Sequence, residues 1–294
     1  MKKNKEADNQ TKLSIQNESK KYWEYFGITY SNNIESKTAK CAIEGFKESL
    51  KHISKSSDIC LIELGCGSGY LAEYIVKNYI NIFKELRFFD ISNEMVLKAK
   101  QKVDPYINNQ QKSILIEERN CEDFTNIESD EYDIIFCHLL IHVIDNPCLL
   151  LEGINRCLKN GGIVFISYPT KIDDSALMSK FNKLLKGYNI EEFFDKSLFH
   201  FNQSYKINSL LYKYQFIALE ESIQNISIDS THKSIYTILK GILLLNKIDK
   251  KLENTDLKQL LKNVKEIVYS STEEEINLNM NISCKIVKKS SSDK

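Results

Sequence analysis

Glu63, Gly65, Gly67 and Gly69 stand at alternate positions in the run Ile59-Cys-Leu-Ile-Glu-Leu-Gly-Cys-Gly-Ser-Gly-Tyr70. A carboxylate beside glycines of this spacing is suited to holding a small ligand against bare backbone. Glycine has no Cβ, so the main chain can approach a ligand closely and take positive φ. Ile59–Leu64 reads as a buried strand, and Tyr70-Leu-Ala-Glu-Tyr-Ile-Val-Lys reads as the helix that follows. A strand, a glycine turn and a helix in that order aim the free N–H groups of the new helix at whatever sits there. The spacing is G-x-G-x-G, and Tyr70 occupies the place of the third glycine in the dinucleotide fingerprint. No basic side chain accompanies the loop to meet a pyrophosphate, whereas Glu63 suits a ligand with positive charge. Taken alone, the turn fits a tight strand-to-helix connection with no ligand equally well.

The elements that would position these residues follow downstream. Leu86-Arg-Phe-Phe is a second apolar strand ending in Asp90. That acid falls about twenty residues after the turn, where open α/β sheets present a carboxylate to ribose hydroxyls. Asp90 could also cap the helix beginning near Asn93, a role that Ser92 fills equally well. Ser113–Glu118 is a third strand, followed by Asn120-Cys-Glu-Asp-Phe124. A fourth, Tyr132–Cys137, leads to His138-Leu-Leu-Ile-His142. Pro147–Leu158 is a helix, Asn160-Gly161-Gly162 a turn, and Ile163–Ser167 a fifth strand. S-adenosylmethionine (SAM), with its sulfonium and ammonium groups, has the charge that Glu63 calls for.

The chain resembles the class I SAM-dependent methyltransferases. The matching pieces are Glu63–Gly69, Asp90-Ile-Ser-Asn-Glu-Met95, Asn120–Asp123, Tyr132–Phe136 and Leu158–Gly162, in family order over residues 20–170. The resemblance implies a Rossmann-like α/β fold, a seven-stranded sheet mostly parallel with an antiparallel closing strand, and a helical cap. It implies SAM as cofactor. Glu63 and the stretch Gly65, Cys66, Gly67 and Gly69 would lie at the methionine part. Asp90 would hold the ribose, Ile91 would lie on the adenine, and Asn120, Cys121 and Glu122 would meet its edge. Asn120 stands where the family often has Asp. An amide oxygen can still accept from the adenine amino group, and Asp123 is the alternative.

Composition limits the classes of partner. Forty basic and forty acidic residues leave no net field to gather nucleic acid. The only three arginines are Arg87, Arg119 and Arg156, so the chain after residue 156 has no guanidinium for phosphate backbones. The eight cysteines include no C-x-x-C pair and no Cys/His set with metal-ligand spacing, and they read as buried free thiols. Met1-Lys-Lys-Asn-Lys is not followed by an apolar stretch, and Ile242–Leu245 is too short to span a bilayer. A cytoplasmic protein with no metal, no nucleic-acid partner and no membrane partner is the expectation. Its expected organisation is a loose tail over 1–17, a SAM-binding core with an N-terminal lid helix over 18–170, a cap with closing strands over 171–288, and a tail over 289–294.

The acceptor is less legible. Tyr22, Trp23 and Tyr30 precede a helix near Glu35–His52, and by resemblance they form a lid touching the substrate; they also fit plain packing on the sheet edge. His138 and His142 flank the loop after the fourth strand, where a proton acceptor would be useful. Each also fits a packed core histidine, His138 above all, whose backbone is expected along SAM. His200, between Phe199 and Phe201, could orient an anionic substrate or simply pack. Helices at Ser175–Lys186, Gln203–Tyr214, His232–Leu245 and Thr255–Ile267 would form the cap, with closing strands Phe216–Ile223 and Ile276–Ile286. This half resembles, more faintly, the caps of trans-aconitate, juvenile hormone acid and malonyl-carrier-protein methyltransferases. That likeness implies in-line transfer to a carboxylate oxygen of a small molecule, which needs no general base. Transfer to a phenol or amine, to protein or tRNA, or SAM binding without catalysis are the other readings.

Overall fold

The computed structural model describes residues 20–24, 26–107, 113–144, 146–172, 175–190, 204–228, 231–245 and 252–290. A seven-stranded sheet in the order β3-β2-β1-β4-β5-β7-β6 organises them. The strands are β1 (Ile59–Leu64), β2 (Phe83–Asp90), β3 (Ser113–Glu118), β4 (Tyr132–Cys137), β5 (Leu158–Ile172), β6 (Phe216–Ile228) and β7 (Leu278–Lys289). All pairings from β3 to β5 are parallel, and β7 runs antiparallel to both β5 and β6. Every residue of β1 and of β4 is buried. That is the pattern of central parallel strands covered on both faces, and it explains sequences that are apolar but for Glu63 and Asp133.

Several helices start where the sequence supplies a cap. Ser92 Oγ accepts from Met95 N–H and opens α3 (Asn93–Val103). Asn146 accepts from Leu149 N–H ahead of Pro147, opening α4 (Pro147–Cys157). Ser175 accepts from Met178 N–H and opens α5 (Ala176–Gly187). The others are α1 (Ser36–Lys51), α2 (Tyr70–Tyr79), α6 (Ser204–Lys213), α7 (His232–Leu245), α8 (Asn254–Ser270) and α9 (Glu273–Ile276). Helical backbone over 20–24 and 26–30 runs through a π-helical stretch, Ser31–Glu35, into α1. Buried residues of α5, α7 and α8, among them Phe181, Leu239 and Val264, join the core on the α1 face of the sheet.

The strands extend further than their apolar runs. β5 begins at Leu158, before the Asn160–Gly162 turn, because Leu158 pairs with Tyr132. The register then shifts and resumes at Ile134 and Ile163, so the two glycines form a bulge inside the strand. β6 continues to Ile228, since β7 pairs with it as far as Leu278.

One glycine sets how closely α1 approaches the sheet. A Cβ on Gly45 would lie 2.1 Å from Phe165 Cε2. Phe165 is itself stacked on Phe136 with centroids 4.7 Å apart, so it has little room to yield. Gly45→Ala is therefore expected to destabilise the protein by about 1–3 kcal/mol, the range for an overpacked core. Chemical denaturation compared with wild type measures it.

Candidate functional site

The chain end of β2 holds the turn after β1. Phe89 C=O accepts from both Gly65 N–H and Cys66 N–H, at 2.8 and 2.9 Å. Asp90 Oδ2 accepts from Gly67 N–H at 2.9 Å, and its Oδ1 accepts from Ser92 N–H at 2.9 Å. Ser92 is the helix cap, and Asp90 instead ties the glycine turn to the β2 end. The three glycines have φ of +74°, +54° and +82°, a left-handed region that favours glycine. Gly69 caps α2, and a Cβ there would lie 2.8 Å from Ala99, so it seats α2 against α3 and does not line the cavity.

Three carboxylates gather beside this turn. Glu63 is buried, and its Oε2 has no hydrogen-bond partner among the described residues. Burial raises its carboxyl well above the usual carboxylate range, and Glu35 and Asp90 add to the rise. Burial also pushes Asp90 up to about 6, against the pull of the Ser92 and Gly67 N–H groups. Glu35 is the residue the sequence did not reveal. Its Oε1 accepts from Ser68 N–H at 2.7 Å and its Oε2 from Ser68 Oγ at 2.8 Å. Lys102 Nζ in turn donates to Ser68 Oγ at 2.8 Å. Glu35 lies 33 residues before Ser68, and no local signal connects them. It sits at the π-helical junction with α1, a backbone form found often at functional sites.

The segment Asn120–Glu122 is an Asx turn. Asn120 Oδ1 accepts from Glu122 N–H at 2.9 Å, and Glu122 Oε1 accepts from Asn146 N–H at 2.6 Å. Asn120, Cys121 and Glu122 line the cavity, with Ile91. Asp123 is exposed and accepts from Thr125 N–H, so it does not replace Asn120. Asp133, in the Tyr132–Phe136 motif, is a structural tie for the sheet: it accepts from Cys60 N–H and pairs with Lys159 and Lys55.

Both histidines after β4 line the same cavity. His138 Nδ1 lies 2.7 Å from Ser167 Oγ, which also accepts from Leu139 N–H. Burial lowers His138 to about 4 and His142 to about 3, with His138 adding to the fall at His142, so both rings are neutral at physiological pH. Trp23 and Tyr30 line the cavity, and Tyr30 OH lies 3.2 Å from Thr38 Oγ1. Tyr22 is turned away from the cavity: it stacks on Phe26 and donates to Gly241 C=O at 3.3 Å. A Cβ on Gly241 would lie 2.3 Å from Phe26, so this glycine seats the N-terminal helix on α7. His200 lies outside the described residues.

The cavity has a volume of 220 Å³. Its other wall is apolar and comes from β5, β6, β7 and α7, including Pro169, Ile228, Leu239 and Met280. Glu35, Glu63, Asp90 and Glu122 line it, and no Lys or Arg does among the described residues. Glu48, His52 and Glu220 have metal-ligand spacing, but they lie outside this cavity, and Lys51 pairs with Glu48.

A family model for the methyltransferase domain matches residues 39–221. The chain belongs to that family. It is a class I SAM-dependent methyltransferase, and SAM is its cofactor. The mitochondrial ubiquinone biosynthesis O-methyltransferase of Saccharomyces cerevisiae is 24% identical over 155 residues, covering 52% of this chain and 46% of that protein. Malonyl-[acyl-carrier protein] O-methyltransferase 2 of Ilyobacter polytropus is 28% identical over 108 residues, covering 36% and 38%. The chain thus matches less than half the length of these curated relatives. Among solved structures, the YcgJ protein of Bacillus subtilis superposes with a TM-score of 0.52 at 14% identity, over 85% of this chain and 99% of that one. A Bacillus halodurans protein assigned as a methyltransferase gives 0.52 at 13%, over 83% and 98%. These two likenesses concern the fold. No described helix is long and apolar enough to cross a membrane.

The residues present fit SAM. An orphaned buried carboxylate, Glu63, awaits a cation, and Glu35 lies beside the turn. A Cβ on Gly67 would lie 2.5 Å from Glu35 Oε1, so only glycine keeps both carboxylate and turn in place. Asp90→Ala should weaken binding of SAM or S-adenosylhomocysteine about a hundredfold or more. The loss is that of two charge-assisted hydrogen bonds at roughly 1.5–3 kcal/mol each. Hydroxyl donors favour the ionised carboxylate, so affinity is expected to be level above neutral pH. It should fall towards tenfold per pH unit as Asp90 is protonated below about pH 6. Calorimetric titration across pH 5–8 with wild type and Asp90→Ala would test both.

Proposed function

We propose that this chain transfers the methyl group of SAM to an oxygen atom of a small molecule, by direct in-line displacement. One observation carries the reading: a floor of glycine backbone and acids and a roof of apolar side chains enclose a single cavity. SAM supplies an electrophilic methyl carbon on a sulfonium. The protein's work is then to hold an acceptor against that carbon and to keep water out.

The roles divide by element. Gly65, Cys66 and Gly67 give the backbone on which the methionine part rests, with Glu63 and Glu35 facing its cationic groups. Asp90 receives the ribose hydroxyls, and Ile91 with Asn120–Glu122 receives the adenine. Trp23, Phe26 and Tyr30 close over the cavity as a lid, held to α7 by the Phe26–Gly241 contact. The O-methyltransferase names of the curated relatives support oxygen as the acceptor atom. A cavity walled by a lid and a cap favours a small molecule over a protein or tRNA surface, and the balanced charge of the chain supports the same choice.

Incubation with methyl-labelled SAM and a mixed library of carboxylic acids, phenols and amines should place label in the small-molecule fraction, as an ether or ester. Label recovered on added protein or tRNA, with none on the library, would refute the small-molecule reading. Gly241→Leu would drive a side chain into Phe26. It is expected to lower transfer at least tenfold by lifting the lid, in a protein whose far-ultraviolet circular dichroism is unchanged.

A further inference from the structure

Away from the cavity, the end of α1 meets β6 through side chains that suit a metal ion. Glu48 lies in the last turn of α1 and His52 caps it, so the spacing of four puts both on one side of the helix. Glu220 of β6 faces them. His52 Nε2 lies 2.7 Å from Glu220 Oε1, and one ligand atom from each of the three residues lies within 4.8 Å of the other two. One helical turn earlier, Gln224 donates to Glu44 at 2.9 Å, so helix and strand pass each other in a fixed register.

A bulge in β6 aims Glu220 at this point. Ala218 pairs with Val287 and Glu220 with Ile286, so Leu219 is an extra residue on the β6 side. Phe216 packs in the core on the face of the sheet away from α1, whereas Ile226 and Ile228 pack on the α1 face. In a regular strand all three would share a face with Glu220. The bulge reverses the alternation, and Glu220 falls on the α1 face with Ile226 and Ile228. Bulges of this kind re-aim a side chain next to a site.

The three side chains are half-buried, open to an ion and to water. Two carboxylates brought this close repel unless a cation lies between them. Lys51 reaches Glu48 Oε2 at 2.5 Å, from an exposed position. That ammonium holds the Glu48 carboxyl below the usual range, so it is ionised at neutral pH. The free carbonyls at the end of α1 favour a cation beside His52. One imidazole, two carboxylates and a water make a four-coordinate zinc set. Ligands about 2.0–2.2 Å from a tetrahedral ion stand roughly 3.3–3.6 Å apart. The His52–Glu220 contact has only to open slightly, and the others to close, to reach that spacing.

We propose that Glu48, His52 and Glu220 form a zinc site that clamps the end of α1 to β6, with water as the fourth ligand. The ion replaces the His52–Glu220 contact and competes with Lys51 for Glu48. The site is independent of the methyltransferase reading and adds a metal to it.

The test is a calorimetric titration of the whole chain with zinc chloride, after a chelator has removed metal and with the thiols kept reduced. One zinc ion per chain should bind in the micromolar range or tighter. His52→Gln and Glu220→Gln, with circular dichroism unchanged, should each weaken binding at least tenfold. Lys51→Ala should tighten it severalfold, which a site elsewhere in the chain would not show. Cobalt in place of zinc should give the visible absorption of a four-coordinate ion in wild type and lose it in His52→Gln. Magnesium, which prefers six oxygen ligands, should bind at least tenfold more weakly than zinc. No zinc binding in the micromolar range would overturn the proposal, leaving His52–Glu220 as an ordinary ion pair. Binding that survives both glutamine variants would place the ion elsewhere. Magnesium bound as tightly as zinc would reduce the cluster to an unspecific acidic patch.

Discussion

The grip of the β2 end on the glycine turn is the contact on which the site depends. Phe89 C=O and the Asp90 carboxylate together accept from three successive N–H groups, those of Gly65, Cys66 and Gly67. Those bonds fix the turn in a left-handed course that ordinary residues would strain to follow. The turn in turn sets where α2 begins and how close α3 lies, through Gly69 and Ala99. Asp90 is thereby held at the floor of the cavity, at a cost. Its rise from 3.8 to about 6 corresponds to an ionisation penalty of about 3 kcal/mol. A ligand that presents hydroxyls and positive charge can offset that penalty, which is how a site selects such a ligand.

Glu35 couples the floor of the cavity to the helical run that lines it. It belongs to the helical run that carries Trp23, Phe26 and Tyr30, yet both its oxygens are spent on Ser68 in the turn. The Lys102–Ser68–Glu35 chain keeps this acid tied down beside two others that would repel it. At its other end the same helical run is seated on α7 by Phe26 against Gly241. This helical run is therefore fastened at both ends, once by a polar network and once by close packing. Each fastening needs a residue of one kind: a carboxylate in the first case, a missing side chain in the second.

Sheet order explains why one cavity has two walls of opposite character. β1 lies between β2 and β4, so the chain reverses its direction of winding there and leaves a crevice at the carboxyl ends. On one side the loops are short, polar and rich in carboxylates and backbone N–H groups. On the other, the antiparallel β6–β7 pair and α7 present aliphatic side chains. Polar recognition and apolar enclosure are thus kept apart by topology alone.

Much of this was legible in the chain itself. Ile59–Leu64 and Tyr132–Cys137 are apolar but for Glu63 and Asp133 because both faces of a central parallel strand are covered, and their bounds coincide with β1 and β4. The Glu63–Gly69 turn and the placing of Asp90 were readable because local backbone demands fix residue type there. Residues 191–203, with His200, lie outside the described residues, so that expectation stands where the sequence left it. What the sequence by itself could not decide were relations between residues far apart in the chain. It could not show that Ser92, and not Asp90, caps α3, nor that Asp123 faces outward while Asn120 lines the cavity, because each pair is chemically alike. It gave no sign of Glu35, whose partner is 33 residues away, and it could not show that the apolar wall of the cavity lacks a cation among the described residues. Periodicity and turn chemistry are written locally and can be read locally. Charge balance inside a cavity is a sum over elements that only the tertiary fold brings together.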